Sequence, residues 1–109
     1  MLIEDRTEGD ALVVRVLEPR LDARTAVGFK TKFEEYTDAG HRRIILNLAQ
    51  TEFIDSSGLG AIVAAFKRVG RDGEFSLCGL QDATLSIFKL TRMDKVFTIF
   101  PTENEALAG

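Results

Sequence analysis

Phe53-Ile54-Asp55-Ser56-Ser57-Gly58-Leu59-Gly60 is the stretch on which the fold of this chain turns. Two apolar residues give way to a carboxylate, two hydroxyls and a glycine. Leu59, Ile62, Val63, Phe66 and Val69 then recur at helical offsets. The pattern predicts a strand that runs directly into the first turn of an amphipathic helix. At such a junction the leading amides lack intrahelical acceptors, and short oxygen-bearing side chains satisfy them. Read blandly, the run is an N-cap. One cap needs one side chain, however, and here Asp55, Ser56 and Ser57 stand together. Gly58 and Gly60 would each cost about 1 kcal/mol relative to alanine within a helix. Their presence points to a surface kept low, on which another backbone or a phosphate can come close. A helix N-terminus also favours anions through its free amides and partial positive charge. A serine there is a candidate phosphoacceptor, and its phosphate would add roughly −1.5 to −2 charge beside Asp55.

Around this junction, Arg43-Ile44-Ile45-Leu46-Asn47-Leu48 reads as a strand covered on both sides. Glu74-Phe75-Ser76-Leu77-Cys78 reads as another, with Arg71-Asp72-Gly73 ending the helix before it and Gly79 closing it. The unit over 43–78 is long enough for a right-handed parallel crossover. Toward the N-terminus, Leu2 to Arg6, the turn Glu8-Gly9-Asp10 and Ala11 to Leu17 predict a hairpin, broken at Pro19. Asp22 is placed to cap a helix over 24–39 whose stripe is Ala26, Phe29, Phe33 and Tyr36, with Gly40 as the stop. Farther on, Asp82 is expected to cap a helix carrying Leu85, Ile87 and Phe88. Val96 to Phe100 is expected to form a last strand. Thr102 and Glu105 are spaced as a capping box. The fold class that follows is α/β: a mixed, mostly parallel sheet with an N-terminal hairpin and about four helices packed on it.

The chain has 109 residues, 45% of them hydrophobic, with 14 basic against 17 acidic side chains and a formal charge of −3. Such a length supports one domain, 1–109, able to bury a core without disulfides or metal. The acidic balance argues against nucleic acid, which rewards a basic face. Membrane binding is disfavoured on the same ground. The single cysteine, Cys78, ends a core strand and reads as a small buried hydrophobe, and no zinc spacing accompanies it. No metal or other cofactor is expected. The first residues lack the basic and apolar regions of a signal peptide, and no run is long enough to span a bilayer, so a cytoplasmic protein is expected, monomeric when free.

Phe53-Ile54-Asp55-Ser56-Ser57-Gly58-Leu59-Gly60 resembles the signature of the STAS domain, in particular the bacterial anti-sigma factor antagonists. The likeness extends to the opening hairpin, to Leu21-Asp22, to Arg43–Leu48 and to Glu105-Ala106-Leu107. The resemblance implies a non-enzymatic partner switch. An unphosphorylated antagonist binds an anti-sigma factor, a serine kinase of the histidine-kinase-like ATP-binding fold, and frees a sigma factor. The kinase phosphorylates the first serine after the aspartate, here Ser56, and a PP2C-type phosphatase resets it. By the same resemblance the partner-binding face comprises Asp22, Asp55, Ser56, Ser57, Gly58, Leu59 and Gly60. The chain departs from the family at Glu18-Pro19-Arg20, where relatives often carry a glycine. A STAS module acting on a secretion, signalling or transport target is the nearest alternative.

Other chemistries fit less well. A serine hydrolase needs Gly-x-Ser-x-Gly and a histidine base, whereas the only histidine, His41, falls in a turn and reads as a solvated imidazole. No P-loop is present. A receiver-like or nucleotide-binding phosphoprotein, with Asp55 as phosphoacceptor, would need paired acids after its first strand. This chain has Glu18-Pro19-Arg20 there. The basic pairs Arg42-Arg43 and Lys67-Arg68 are too short to mark a nucleic-acid surface.

Overall fold

The computed structural model describes every residue from Met1 to Gly109. In chain order it contains β1 (Ile3–Glu8), β2 (Ala11–Val16), β3 (Arg20–Leu21), α1 (Ala23–Asp38) and β4 (Arg43–Asn47). There follow β5 (Phe53–Ile54), α2 (Ser56–Val69), β6 (Glu74–Cys78), α3 (Asp82–Leu90), β7 (Thr98–Phe100) and α4 (Glu103–Ala108). The five-stranded sheet has the order β1-β2-β4-β6-β7. Its hairpin is antiparallel, Ile3 opposite Val16, and turns at Gly9, whose φ of +60° is easy only for a residue without Cβ. Every other pairing is parallel, with Leu12 opposite Ile44 and Ile44 opposite Phe75.

Side chains alternate along each strand, so the sheet has two apolar faces of unequal size. On the front, Leu12, Val14, Ile44, Leu46 and Leu77 pack with Phe29 and Phe33 of α1, Ile62 of α2 and Phe88 of α3. Phe33 is the hub of that face: it stacks on Phe29 at 4.6 Å between ring centroids and meets Tyr36 and Phe75 edge-on. On the back, Ala11, Val13, Ile45 and Cys78 form a small strip covered by Ala106 of α4. Cys78 is the buried residue its sequence context predicts, and burial pushes its thiol up to about 11.

Four expected details change. The helix after Gly79 is capped by the Gln81 position and not by Asp82, which is its first helical residue. The Leu85 amide reaches the Gln81 carbonyl at 2.9 Å, so the turn starts one residue early, while the Gln81 side chain is spent on Ala49 O at 2.8 Å. Asp82 still helps, because a carboxylate in a first turn complements the helix dipole. The last strand begins at Thr98 and not at Val96, since Arg92 at φ +61° opens a 3-10 turn over Met93–Lys95 that carries the chain to the buried Phe97. The second helix stops at Gly70, φ +75°, ahead of Arg71-Asp72-Gly73. At α4 the Glu105 amide donates to Thr102 Oγ1 at 3.2 Å, but the Glu105 carboxylate makes no return bond and the box is half formed. No helix is long and apolar enough to cross a membrane.

Candidate functional site

Two strands of two residues each build the site. β3 and β5 lie parallel, Arg20 opposite Phe53 and Leu21 opposite Ile54. Leu21 and Ile54 point into the core, which fixes the pair from below. Asp22 and Asp55 follow at the two strand ends, both in extended conformation, and each is the N-cap of a long helix. The positive ends of α1 and α2 therefore open side by side. Asp22 Oδ1 accepts from the Arg24 amide at 3.0 Å while Thr25 Oγ1 accepts from the Asp22 amide at 3.0 Å, a reciprocal box that its Thr at the third position conceals from the usual Ser-x-x-Glu pattern. Burial raises the Asp22 carboxyl, but the Arg24 and Thr25 amides and the Arg20 guanidinium outweigh it, so the group titrates below its ordinary value.

At the second cap, Asp55 Oδ1 accepts from the Gly58 amide at 2.9 Å. One side chain suffices, as the bland reading expects. Ser56 and Ser57, the first two residues of α2, are both exposed. Neither hydroxyl is used by the cap, and as leading residues their amides have no intrahelical acceptor.

The two glycines behave differently. Gly60 has nothing within 4 Å of a Cβ and is exposed, as a surface kept low requires. Gly58 is buried, and the backbone it admits is its own chain's: an added Cβ would collide with the Leu21 carbonyl. The expectation that Gly58 opens room for a partner is therefore corrected. Its missing side chain lets β3 lie against the first turn of α2, which holds Asp22 beside Asp55.

Three backbone bonds and one side chain tie this corner together. The Asp55 amide donates to Leu21 O at 3.1 Å, and the Glu52 and Phe53 amides share the Pro19 carbonyl at 2.7 and 3.1 Å. Thr51 is fully buried and donates Oγ1–H to Glu18 O at 3.0 Å. Pro19 thus serves as an acceptor where its lack of an N–H costs nothing.

Reading the sequence misses two features. Thr51 carries no periodic signal, because it packs from a loop. Arg20 lies 4.2 Å over the ring of Phe53, an aromatic 38% exposed, and also meets Asp22 Oδ2 at 3.4 Å. Only the β3–β5 register brings those two residues together. Leu59 is half-buried against the front core. His41 is half-buried with its ring edge-on to Tyr36, away from this corner, and no group of three possible metal ligands occurs.

Comparison with known proteins gives a consistent picture. The family model for the STAS domain matches residues 3–106. An anti-sigma-B factor antagonist of Listeria monocytogenes is 33% identical over 86 residues, 78% of this chain and 75% of that protein. The crystal structure of an anti-sigma factor antagonist from Mycobacterium paratuberculosis superposes with a TM-score of 0.90 over 98% of this chain and 91% of its own, at 24% identity. The Bacillus cell fate determinant SpoIIAA in its phosphorylated form gives 0.73 over 98% and 97%, at 20% identity. At those identities the two structures speak for the fold.

Proposed function

The chain belongs to the STAS domain family, and on that premise we propose that it is an anti-sigma factor antagonist switched by phosphorylation of Ser56. Unphosphorylated, it binds an anti-sigma factor serine kinase of the histidine-kinase-like ATP-binding fold and so frees a sigma factor. Phosphorylated, it lets go, and a PP2C-type phosphatase resets it. It acts as a binding protein and not as an enzyme, in the cytoplasm, and is a monomer when free. The contact face is the corner of Asp22, Asp55, Ser56, Ser57, Leu59 and Gly60, with Gly58 holding its shape from within.

One observation carries this reading: Ser56 presents an exposed side chain on the first residue of α2, at a corner held by backbone bonds from Glu52, Phe53 and Asp55 to Pro19 and Leu21. A kinase can reach the hydroxyl without unfolding anything. The product gains a dianion directly after the capping carboxylate of Asp55, with the Asp22 cap following the strand paired alongside. Within a docked interface that charge would have to be desolvated next to like charge, at a cost of several kcal/mol, where about 1.4 kcal/mol already changes affinity tenfold. Release follows from charge alone. The domain need not refold. That a structurally similar protein is known in a phosphorylated form supports the reading.

The test is incubation with the cognate kinase and ATP, followed by mapping of the phosphate and measurement of binding. Phosphate is expected on Ser56. Ser56→Ala should bind the kinase as the unmodified chain does and take no phosphate, and Ser56→Asp should bind at least about tenfold more weakly. Phosphate on another residue, or wild-type binding by Ser56→Asp, would sink the switch.

A further inference from the structure

The back of the sheet poses a separate question: what holds α4? The helix is six residues long and buries one side chain, Ala106, with Phe100 and Leu107 partly covered beside it. A helix of that length has no stability of its own in water. Its apolar footing on Ala11, Val13, Ile45 and Cys78 is narrow. Both ends, however, are gripped by charge.

At the N-terminal end the Glu103 carboxylate accepts from Arg15 Nε at 2.7 Å and Nη2 at 3.1 Å, from Arg6 Nη2 at 2.9 Å and from Asn47 Nδ2 at 2.6 Å. These donors come from β1, β2 and β4, so one carboxylate spans three strands. At the C-terminal end Arg43 of β4 donates Nη2–H to Leu107 O at 2.8 Å and to Ala106 O at 3.3 Å, among the last carbonyls of the helix, where the dipole favours a cation. Asp10 and Glu74 steady that guanidinium at 2.8 and 3.2 Å.

We infer that α4 is a strap held to the back of the sheet by this pair of ionic clamps, and that it lifts as a unit while the rest of the fold stays intact. Regions with little buried apolar contact open locally at free energies well below that of global unfolding. Charge-assisted bonds are the strong component here, and salt reaches them through Arg6 and Arg15, whose side chains are 39% and 44% exposed around a Glu103 side chain that is 12% exposed. The front face has no such weakness, because its helices share a continuous apolar core. Lifting α4 uncovers Val13, Ile45 and Cys78, so ionic conditions control access to the back of the sheet. This inference does not depend on the fate of Ser56.

Cys78, the only cysteine and fully buried under α4, reports the opening directly. Its rate of labelling by an aromatic disulfide reagent in the folded protein is the measurement. Glu103→Gln and Arg43→Met should each speed labelling by about 10-fold, and raising NaCl to about 1 M should speed it in the wild type. The rate should depend only weakly on urea. Arg68→Met, which breaks the surface pair with Asp38 on the α1–α2 side, should leave it unchanged. Equal rates for Glu103→Gln and wild type would overturn the strap. So would a rate that climbs with urea as steeply as global unfolding. As a check needing no variant, the Ala106 amide should exchange its hydrogen faster than the Ile45 amide and more so in salt. Exchange of both at one common rate would overturn it as well.

Discussion

The two faces of one sheet are covered by different chemistry. In front, three helices share a continuous apolar core that runs from Phe29 and Phe33 to Phe88, and the corner bearing Ser56 is built on it from backbone bonds between the Pro19–Leu21 and Glu52–Asp55 segments and two Asp caps. Behind, a single turn and a half of helix rests on four buried residues of the sheet and is fastened by Glu103 and Arg43. The contrast teaches that rigidity and charge are assigned separately in this molecule. A face meant to present a hydroxyl without moving is set mainly by packing, which salt hardly alters, and acid acts on it through the Asp22 cap. A face set by ion pairs answers to both.

Substitutions and titration test this contrast directly. The largest effect is expected at Gly58→Ala, where the new Cβ must push β3 away from α2. A loss of about 3 kcal/mol in urea unfolding is expected, and an unchanged midpoint would mean that the corner is looser than the backbone bonds indicate. Next comes acid. Arg15 foremost, with Asn47 and Arg6, holds the Glu103 carboxyl down at about 2 against the opposing effect of burial. A carboxyl depressed in the folded state adds stability that is complete above its ordinary value of about 4.5 and fades as pH falls toward about 2. Asp22 shifts in the same direction on the front. Comparing wild type with Glu103→Gln by urea unfolding at pH 7 and at pH 2 should show a gap of about 1 to 2 kcal/mol that closes in acid. A gap that persists at pH 2 would assign the effect to shape and not to charge.

Smaller effects follow. Asp55→Ala removes the cap on the Gly58 amide and should cost about 1 kcal/mol, with Asp55→Asn recovering most of it. Recovery would separate capping from the charge that the proposed switch uses. Gly60→Ala faces open space and should stabilise the domain by about 0.5 to 1 kcal/mol, read as a rise in the unfolding midpoint. If it also weakened kinase binding, the surface there would be shown to meet the partner closely.

Much of this was legible in the residues. Ala26, Phe29, Phe33 and Tyr36 trace the buried face of α1 as their offsets require, and Asp22 and Asp55 cap as short acids before apolar runs do. Glu8-Gly9-Asp10 marks the hairpin. The errors are also local in origin. Asp82 reads as the cap because cap preference is judged from residue type, while in the fold the Gln81 position caps and its side chain is committed to Ala49, far off in the chain. Gly58 looked like open ground because a glycine's neighbour across the fold cannot be read from its flanks.

From order and periodicity alone came the alternation of strands and helices, the hairpin, and the placing of Ser56 at a helix mouth, since each depends on neighbours within about one or two turns. Only the folded chain decided that Asp22 stands beside Asp55, that Gly58 faces Leu21, and that Glu103 finds Arg15 and Arg6 across 88 and 97 residues. Those contacts rest on register between segments that meet only once the core has closed, and no local pattern specifies them.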